Sequence, residues 1–167
     1  MMGHKEHKTH KYKLNIAVIT VSSTRSKEDD VSGRIICNNV KSSSHTLCNY
    51  AVVKDDKIEL LHALFSALKT CDVVIINGGT GISKKDLTYD SVMPVLDKEL
   101  SGFGEVFRRV SYDEIGAPAM MSRATAGVIS EKLVFLTPGS PNAVRTASKL
   151  IFSELEHMWY EVHKEIR

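Results

Sequence analysis

The sequence predicts an α/β domain, a three-layer sandwich in which a mostly parallel central sheet is covered by helices on both faces. Three observations predict it. Short apolar runs rich in β-branched residues recur at Leu14 to Thr20, Val73 to Ile76 and Leu133 to Leu136, and runs without polar alternation are characteristic of strands buried on both faces. The segments between them carry apolar residues at helical spacing, so strand and helix alternate along the chain. No internal repeat or linker divides the sequence, and 167 residues suit one domain.

Residues 1–12 are polar and charged without apolar periodicity, and are expected to be a disordered, dispensable tail before a domain over 13–167. Leu14 to Thr20 (LNIAVIT) is the first strand, bounded by the turn formers Ser22, Ser23 and Thr24. Ser32 to Lys41 sets Ile35, Ile36 and Val40 on one helical face, and Leu47 to Val53 is apolar enough for a second strand. Lys57 to Lys69 places Ile58, Leu61, Leu64, Phe65 and Leu68 at helical spacing, with Asp56 and Glu59 fitting a capping box at its start.

Val73 to Ile76 reads as a central strand running into Asn77 and a glycine-rich loop. Thr88 to Leu100 carries Val92, Val95, Leu96 and Leu100 at helical spacing, with Pro94 bending or breaking its early turns. Leu133 to Leu136 is a further strand, with Val128 to Ser130 pairing to it as a hairpin. Pro138-Gly139-Ser140-Pro141 then opens the last helix, Ser140 as N-cap and Pro141 at its first position. Val144, Ala147, Ile151, Leu155, Met158 and Val162 form its apolar stripe.

Composition excludes several function classes. Hydrophobic residues at 43% can build a core without staples. The net charge is +2, and basic residues gather in the amino-terminal stretch at Lys5, Lys8, Lys11 and Lys13. With aromatics at 7% and no basic stripe beyond that stretch, no nucleic-acid partner is expected. No segment approaches the roughly 20 apolar residues of a membrane span. Leu14 to Val21 contains Asn15 and leads into a polar segment, unlike an export signal, so a cytoplasmic protein without a membrane partner is expected.

Cys37, Cys48 and Cys71 lack the spacing of zinc sites or disulfide frameworks and are expected to be reduced, buried thiols. His4, His7 and His10 recur every third residue, which fits either a transition-metal tract or an ordinary charged tail.

Ligands of open parallel sheets gather at the carboxyl ends of the strands. The loops there hold Thr20, Ser22 and Ser23, then Asp55 and Asp56, then Gly78-Gly79-Thr80-Gly81 with Asp86 and Thr88, and finally Pro138-Gly139-Ser140-Pro141. Gly78, Gly79 and Gly81 free the backbone to aim consecutive N–H groups at one anion, and Thr80 adds a hydroxyl. A tight strand-to-helix turn would also use glycines there. The chain lacks GxxxxGK[ST], and Lys84 stands where GxGxxG would need its third glycine, so ordinary kinase and dehydrogenase readings fail.

The stretch from Gly78-Gly79-Thr80-Gly81 through Asp86 to Thr88 is similar to the GGTGxxxxDxT signature of the MoaB/MogA family of molybdenum-cofactor biosynthesis proteins. Further motifs resemble that family in order: Asp30-Val31-Ser32-Gly33, Val53-Lys54-Asp55-Asp56, Gly102-Phe103-Gly104-Glu105 with Phe107-Arg108, Ser122-Arg123-Ala124 with Ala126-Gly127, and Pro138-Gly139-Ser140-Pro141. The resemblance spans roughly residues 13 to 160.

It implies transfer of AMP from Mg-ATP to the terminal phosphate of molybdopterin, releasing pyrophosphate, in a molybdenum or tungsten pathway. The implied catalytic acids and Mg²⁺ ligands are Asp55 and Asp86, with Asp56 the alternative to Asp55 because Lys54 replaces the family's usual proline. Ser111, Ser122 and Ser140 fall at positions resembling pterin or phosphate contacts. Thr20, Ser22, the GGTG residues, Thr88, Pro138 and Gly139 complete the expected substrate site. A carboxylate or two beside phosphate oxygens suits Mg²⁺, and the substrate's own phosphate is the nucleophile. Each acid and serine also has a plainer role as a cap or surface group. A homotrimer or homohexamer is implied, and two other functions fit the same family: a non-catalytic pterin binder and an oligomeric scaffold.

Overall fold

The computed structural model of the chain describes residues 11–164. The expected tail and the tail histidines lie outside the described residues, except that Lys11 and Tyr12 are described and Tyr12 packs against the core.

Six strands form one sheet: β1 (Asn15–Val21), β2 (Thr46–Val53), β3 (Val73–Asn77), β4 (Lys98–Glu99), β5 (Thr125–Ile129) and β6 (Lys132–Thr137). Their spatial order is β2-β1-β3-β6-β5-β4. β2, β1, β3 and β6 run parallel, and β5 and β4 add antiparallel pairs at one edge. Two apolar layers follow from the two-residue period of the strands. Ile16, Val18, Val73, Ile75, Leu133 and Phe135 face α1 (Val31–Ser42), α4 (Ser101–Ile115) and α5 (Pro141–His163). Ala17, Ile19, Val74, Ile76, Val134 and Leu136 face α2 (Lys57–Leu68) and α3 (Thr88–Val92). The expected three-layer, mostly parallel α/β sandwich is the observed one.

The expected helix from Thr88 to Leu100 is corrected. α3 ends at Val92, Met93–Val95 form a 3-10 turn, and Lys98–Glu99 join the sheet as β4. Pro94 lacks an N–H and crowds the preceding turn, which ends the α-helix there. Helix α4 carried no predicted element. Its buried face is Phe103, Gly104, Phe107 and Ser111, and the small residues hide the apolar stripe. Gly104 is required by packing: a Cβ there would stand 2.1 Å from the carbonyl oxygen of Ala124. The expected hairpin at Val128 to Ser130 is part of β5, longer at its start than expected, with Ser130 and Glu131 turning at positive φ into β6.

The cysteine expectation is corrected as well. Cys48 and Cys71 form a disulfide, with Cα atoms 6.4 Å apart. The β1–β2 register slips between Ile16 and Ala17, which leaves Cys48 as the extra residue of a bulge beside the turn that carries Cys71. Cys37 remains a buried thiol, and burial pushes its pKa up to about 11. Among the described residues no helix is long and apolar enough to cross a membrane.

Candidate functional site

β1 leads through α1 on one face to β2, and β2 leads through α2 on the other face to β3, on the far side of β1. Connections that diverge to opposite faces open a crevice at the carboxyl ends of the two central strands. The backbone reports how closely the loops meet there. Gly78 and Gly79 have φ of +98° and +66°, the region L side chains avoid. A Cβ on Gly78 would stand 2.4 Å from the Val21 carbonyl oxygen, and one on Gly139 would stand 3.1 Å from the Gly78 Cα. The β1, β3 and β6 loops are thus in backbone contact.

Among the described residues, no protein hydrogen bond takes the N–H of Gly79, Thr80, Gly139 or Ser140. Ser140 caps α5, its Oγ accepting from Ala143 N, so the positive end of a long helix opens on the same place. Thr88 supports the glycine loop from below: its Oγ1 donates to Gly78 O at 2.7 Å, and its N–H donates to Gly79 O at 2.9 Å.

Asp86 folds back on the same loop. Its Oδ2 accepts from Ser83 N at 2.8 Å. Burial alone would raise its pKa, but hydrogen bonds from the Ser83 side chain and backbone and from Gly81, together with the Arg123 charge, hold it below the ordinary carboxylate value. Arg123 ties the loop together by donating to Gly81 O, Asp86 O and Asp90, while its own N–H donates to Thr80 O. The hollow beside Asp86, about 400 Å³, also takes in Lys84 and Asp90.

The other expected acid arrives by a different route. Asp55 Oδ2 accepts from Ser23 N at 2.7 Å, and Asp55 N–H donates to Ser23 Oγ at 3.0 Å. Ser22 N–H donates to Val53 O, and Ser22 Oγ accepts from Thr24 N and Arg25 N as a local turn. Asp55 is therefore locked to the β1–α1 loop, two residues past the Val21 carbonyl that flanks Gly78. Asp56 caps α2 by accepting from Glu59 N, but Glu59 accepts from Lys54 N and not from Asp56 N, whose N–H donates to Lys54 O, so only half of the expected capping box forms.

Thr20 is fully buried. Its hydroxyl donates to Asp30 at 2.5 Å and accepts from Asn77 Nδ2 at 2.8 Å. Asp30 is buried too and also accepts from Tyr50 and from Gly33 N, at the N-cap of α1. Three donors compensate a carboxylate taken out of water. Burial and then Asp30 push the Tyr50 hydroxyl's pKa well up, so it stays a donor. Ser32, two residues on, donates to Gly139 O at 2.8 Å and binds α1 to the Pro138 loop. Sequence reasoning gave no role to Asp30, Ser32, Asn77 or Arg123. Asp30-Val31-Ser32-Gly33 stood out as a motif, but nothing local shows that its carboxylate lies under Thr20.

Ser111, Ser122, Thr80, Gly81, Pro138 and Ser140 line one cleft of about 260 Å³ between α4, the 3-10 segment Ala117–Met121 and the start of α5. Phe107, Ile115, Pro118 and Met121 give it apolar walls. Apolar walls with a few convergent polar groups are the usual make-up of a small-molecule site. Thr20 and Thr88 lie beneath the loops, and Asp86 borders the adjoining hollow. Among the described residues no three His, Cys, Asp or Glu converge as a metal cage.

Comparison with known proteins accords with this geometry. A relative from Bacillus cereus named molybdenum cofactor biosynthesis protein B is 44% identical over 165 residues, covering 96% of this chain and 98% of its own. A Pyrococcus furiosus protein named molybdopterin adenylyltransferase is 46% identical over 166 residues, covering 94% and 96%. The crystal structure of the tungsten cofactor synthesizing protein MoaB from Pyrococcus furiosus superposes with a TM-score of 0.84 at 43% identity, covering 93% of this chain and all of that one. The profile of the family described as "Probable molybdopterin binding domain" matches residues 17–157. This chain belongs to that molybdopterin-binding, cofactor-biosynthesis family.

Proposed function

We propose that this protein is a molybdopterin adenylyltransferase. The terminal phosphate of molybdopterin attacks the α-phosphorus of ATP, a phosphorus–oxygen bond forms to AMP, and the bond to pyrophosphate breaks. The observation that carries the reading is the backbone contact between the Gly78 and Gly139 loops, which puts four unbonded N–H groups and a helix N-terminus beside an apolar cleft. In this reading the flat ring takes the cleft and the phosphate takes the loops. The protein supplies no nucleophile and needs none, because positioning and charge stabilisation dominate phosphoryl transfer. The relative named for this activity supports the reading.

Asp55 and Asp86 are the carboxylates that would hold Mg²⁺. They suit it chemically, as hard oxygen donors too few to form a cage without phosphate oxygens and water. When bound, the ion draws charge from the transferring phosphate and from departing pyrophosphate. Ser23 fixes Asp55 in place, and Ser83, Gly81 and Arg123 keep Asp86 ionised. In the assembly this reading takes, three or six copies associate, and light scattering of the purified chain checks it.

Incubating the full chain with molybdopterin, ATP and Mg²⁺ and assaying for adenylylated molybdopterin tests the function. Product formation is expected. Tight molybdopterin binding without product would leave a non-catalytic binder, and neither product nor binding would leave a scaffold.

A further inference from the structure

We infer that Glu114 selects the heterocycle that enters the cleft, by accepting two N–H groups from the 2-amino-4-oxo edge of a pterin. The inference rests on the pterin reading of that cleft and names the group that would enforce it. Glu114, near the end of α4, contributes the only charged side chain among the described residues lining the cleft. The other walls are apolar or carry hydroxyl and amide groups.

Glu114 is exposed at the rim of these walls, so its carboxylate is a charged acceptor that an entering ligand edge can meet. Thr146, buried on α5, supplies one donor: its Oγ1 lies 2.9 and 3.1 Å from the two Glu114 oxygens. One hydroxyl has one proton, whereas a carboxylate has about four acceptor positions, so Thr146 orients the group and leaves most of its capacity open. No described Lys, Arg or His pairs with it; the neighbouring Asp113 takes Arg109 instead.

The ligand edge that matches is one with two parallel N–H donors. A pterin presents N3–H beside its 2-amino group, the same fork a guanidinium offers a carboxylate. A lumazine has a carbonyl in place of the 2-amino group and turns one donor into an acceptor facing Glu114. Ser140 and Thr80 lie on the cleft's loop side, so a ring held by Glu114 would direct its phosphate-bearing substituent toward the glycine loops.

Fluorescence titration of the full chain with 6-hydroxymethylpterin and 6-hydroxymethyllumazine, which differ at position 2 and in the proton that the 2-carbonyl form carries on N1, tests this. The unaltered protein should prefer the pterin by about three- to ten-fold. Glu114→Gln keeps the side-chain size and an acceptor for Thr146 but has one acceptor oxygen and one amide donor. It should lose or invert the preference, pterin affinity falling and lumazine affinity rising because the amide N–H can donate to the 2-carbonyl, with the melting temperature unchanged. A preference retained in Glu114→Gln overturns the assignment to Glu114 while leaving the cleft a pterin site. An unaltered protein that binds both probes equally overturns it too. If the unaltered protein binds neither probe, the pterin reading of the cleft fails with it. Glu114→Ala supplies a second variant should the glutamine form not fold.

Discussion

Thr88 donates its hydroxyl to the Gly78 carbonyl across 2.7 Å, and the same hydroxyl oxygen stands 2.4 Å from where a Cβ on Gly79 would have to go. The turn and its support are therefore built around the missing side chain. Gly79→Val adds a β-branched group at φ +66°, at a cost of about 1–3 kcal/mol, and forces the loop off Thr88. The N–H groups then lose their common aim. Molybdopterin affinity should fall roughly ten- to hundred-fold in calorimetric titration, with circular dichroism unchanged. An unaltered affinity in a folded Gly79→Val protein would remove the cradle from the mechanism.

Asp55 and Asp86 should separate by assay. Asn at position 55 keeps the hydrogen bonds to Ser23 in outline but removes charge, so adenylylation should drop by orders of magnitude while molybdopterin affinity persists. Asp86→Asn also disturbs the bonds from Ser83 and Gly81, and should weaken binding and turnover together. Asp56→Asn should be mild, because asparagine caps helices about as well as aspartate. Product formation and pterin binding across the three variants check the order; inactivity of Asp56→Asn alone would move the catalytic acid by one residue.

The lowered pKa of Asp86 has a pH signature. A carboxyl whose folded pKa lies below its unfolded value of about 3.9 adds stability above that value and loses it as pH falls through the folded pKa. Asp86→Asn lacks this contribution at every pH. The melting-temperature gap between the two proteins should therefore hold at pH 7 and shrink below about pH 4. Thermal melts across that range decide it, and a gap that widens in acid would contradict the assignment.

The Cys48–Cys71 bond closes a segment with a sequence separation of 23. Loop-closure entropy for that length corresponds to about 3 kcal/mol. Urea unfolding of the unmodified chain with and without reductant should show a loss of that order. Equal midpoints under the two conditions would mean that the bond contributes little to the folded state.

Cys37 should behave differently from an exposed thiol. Burial and a pKa pushed up to about 11 leave almost no thiolate at pH 8, so native alkylation by iodoacetamide should be far slower than in urea. Mass spectrometry of time points under both conditions reads the ratio directly.

Local pattern carried the sheet. Val73 to Ile76 and Leu133 to Leu136 are apolar because both faces of β3 and β6 are covered, and that cause acts on each residue where it stands. Ser140 and Pro141 announced α5 for a similarly local reason. The stripe of α4 was illegible because Gly104 and Ser111 occupy its buried face, and Gly104 is small only because the Ala124 carbonyl passes 2.1 Å from its missing Cβ. Pro94 marked a break, but the return of Lys98–Glu99 to the sheet depended on a partner in β5, about 30 residues on.

The sequence by itself determined the layers, the family resemblance and the loops in which the chemistry lies, because hydrophobic period, capping and glycine content are properties of neighbouring residues. Only the tertiary structure decided which polar groups those loops leave open. Thr20 is buried on Asp30, Arg123 closes the glycine loop, Asp55 is held by Ser23, and Glu114 meets Thr146 at the cleft. Each of these joins residues at least ten positions apart. Hydrogen bonds require donor and acceptor within about 3 Å, and strand order together with the approach of glycine backbones sets those distances.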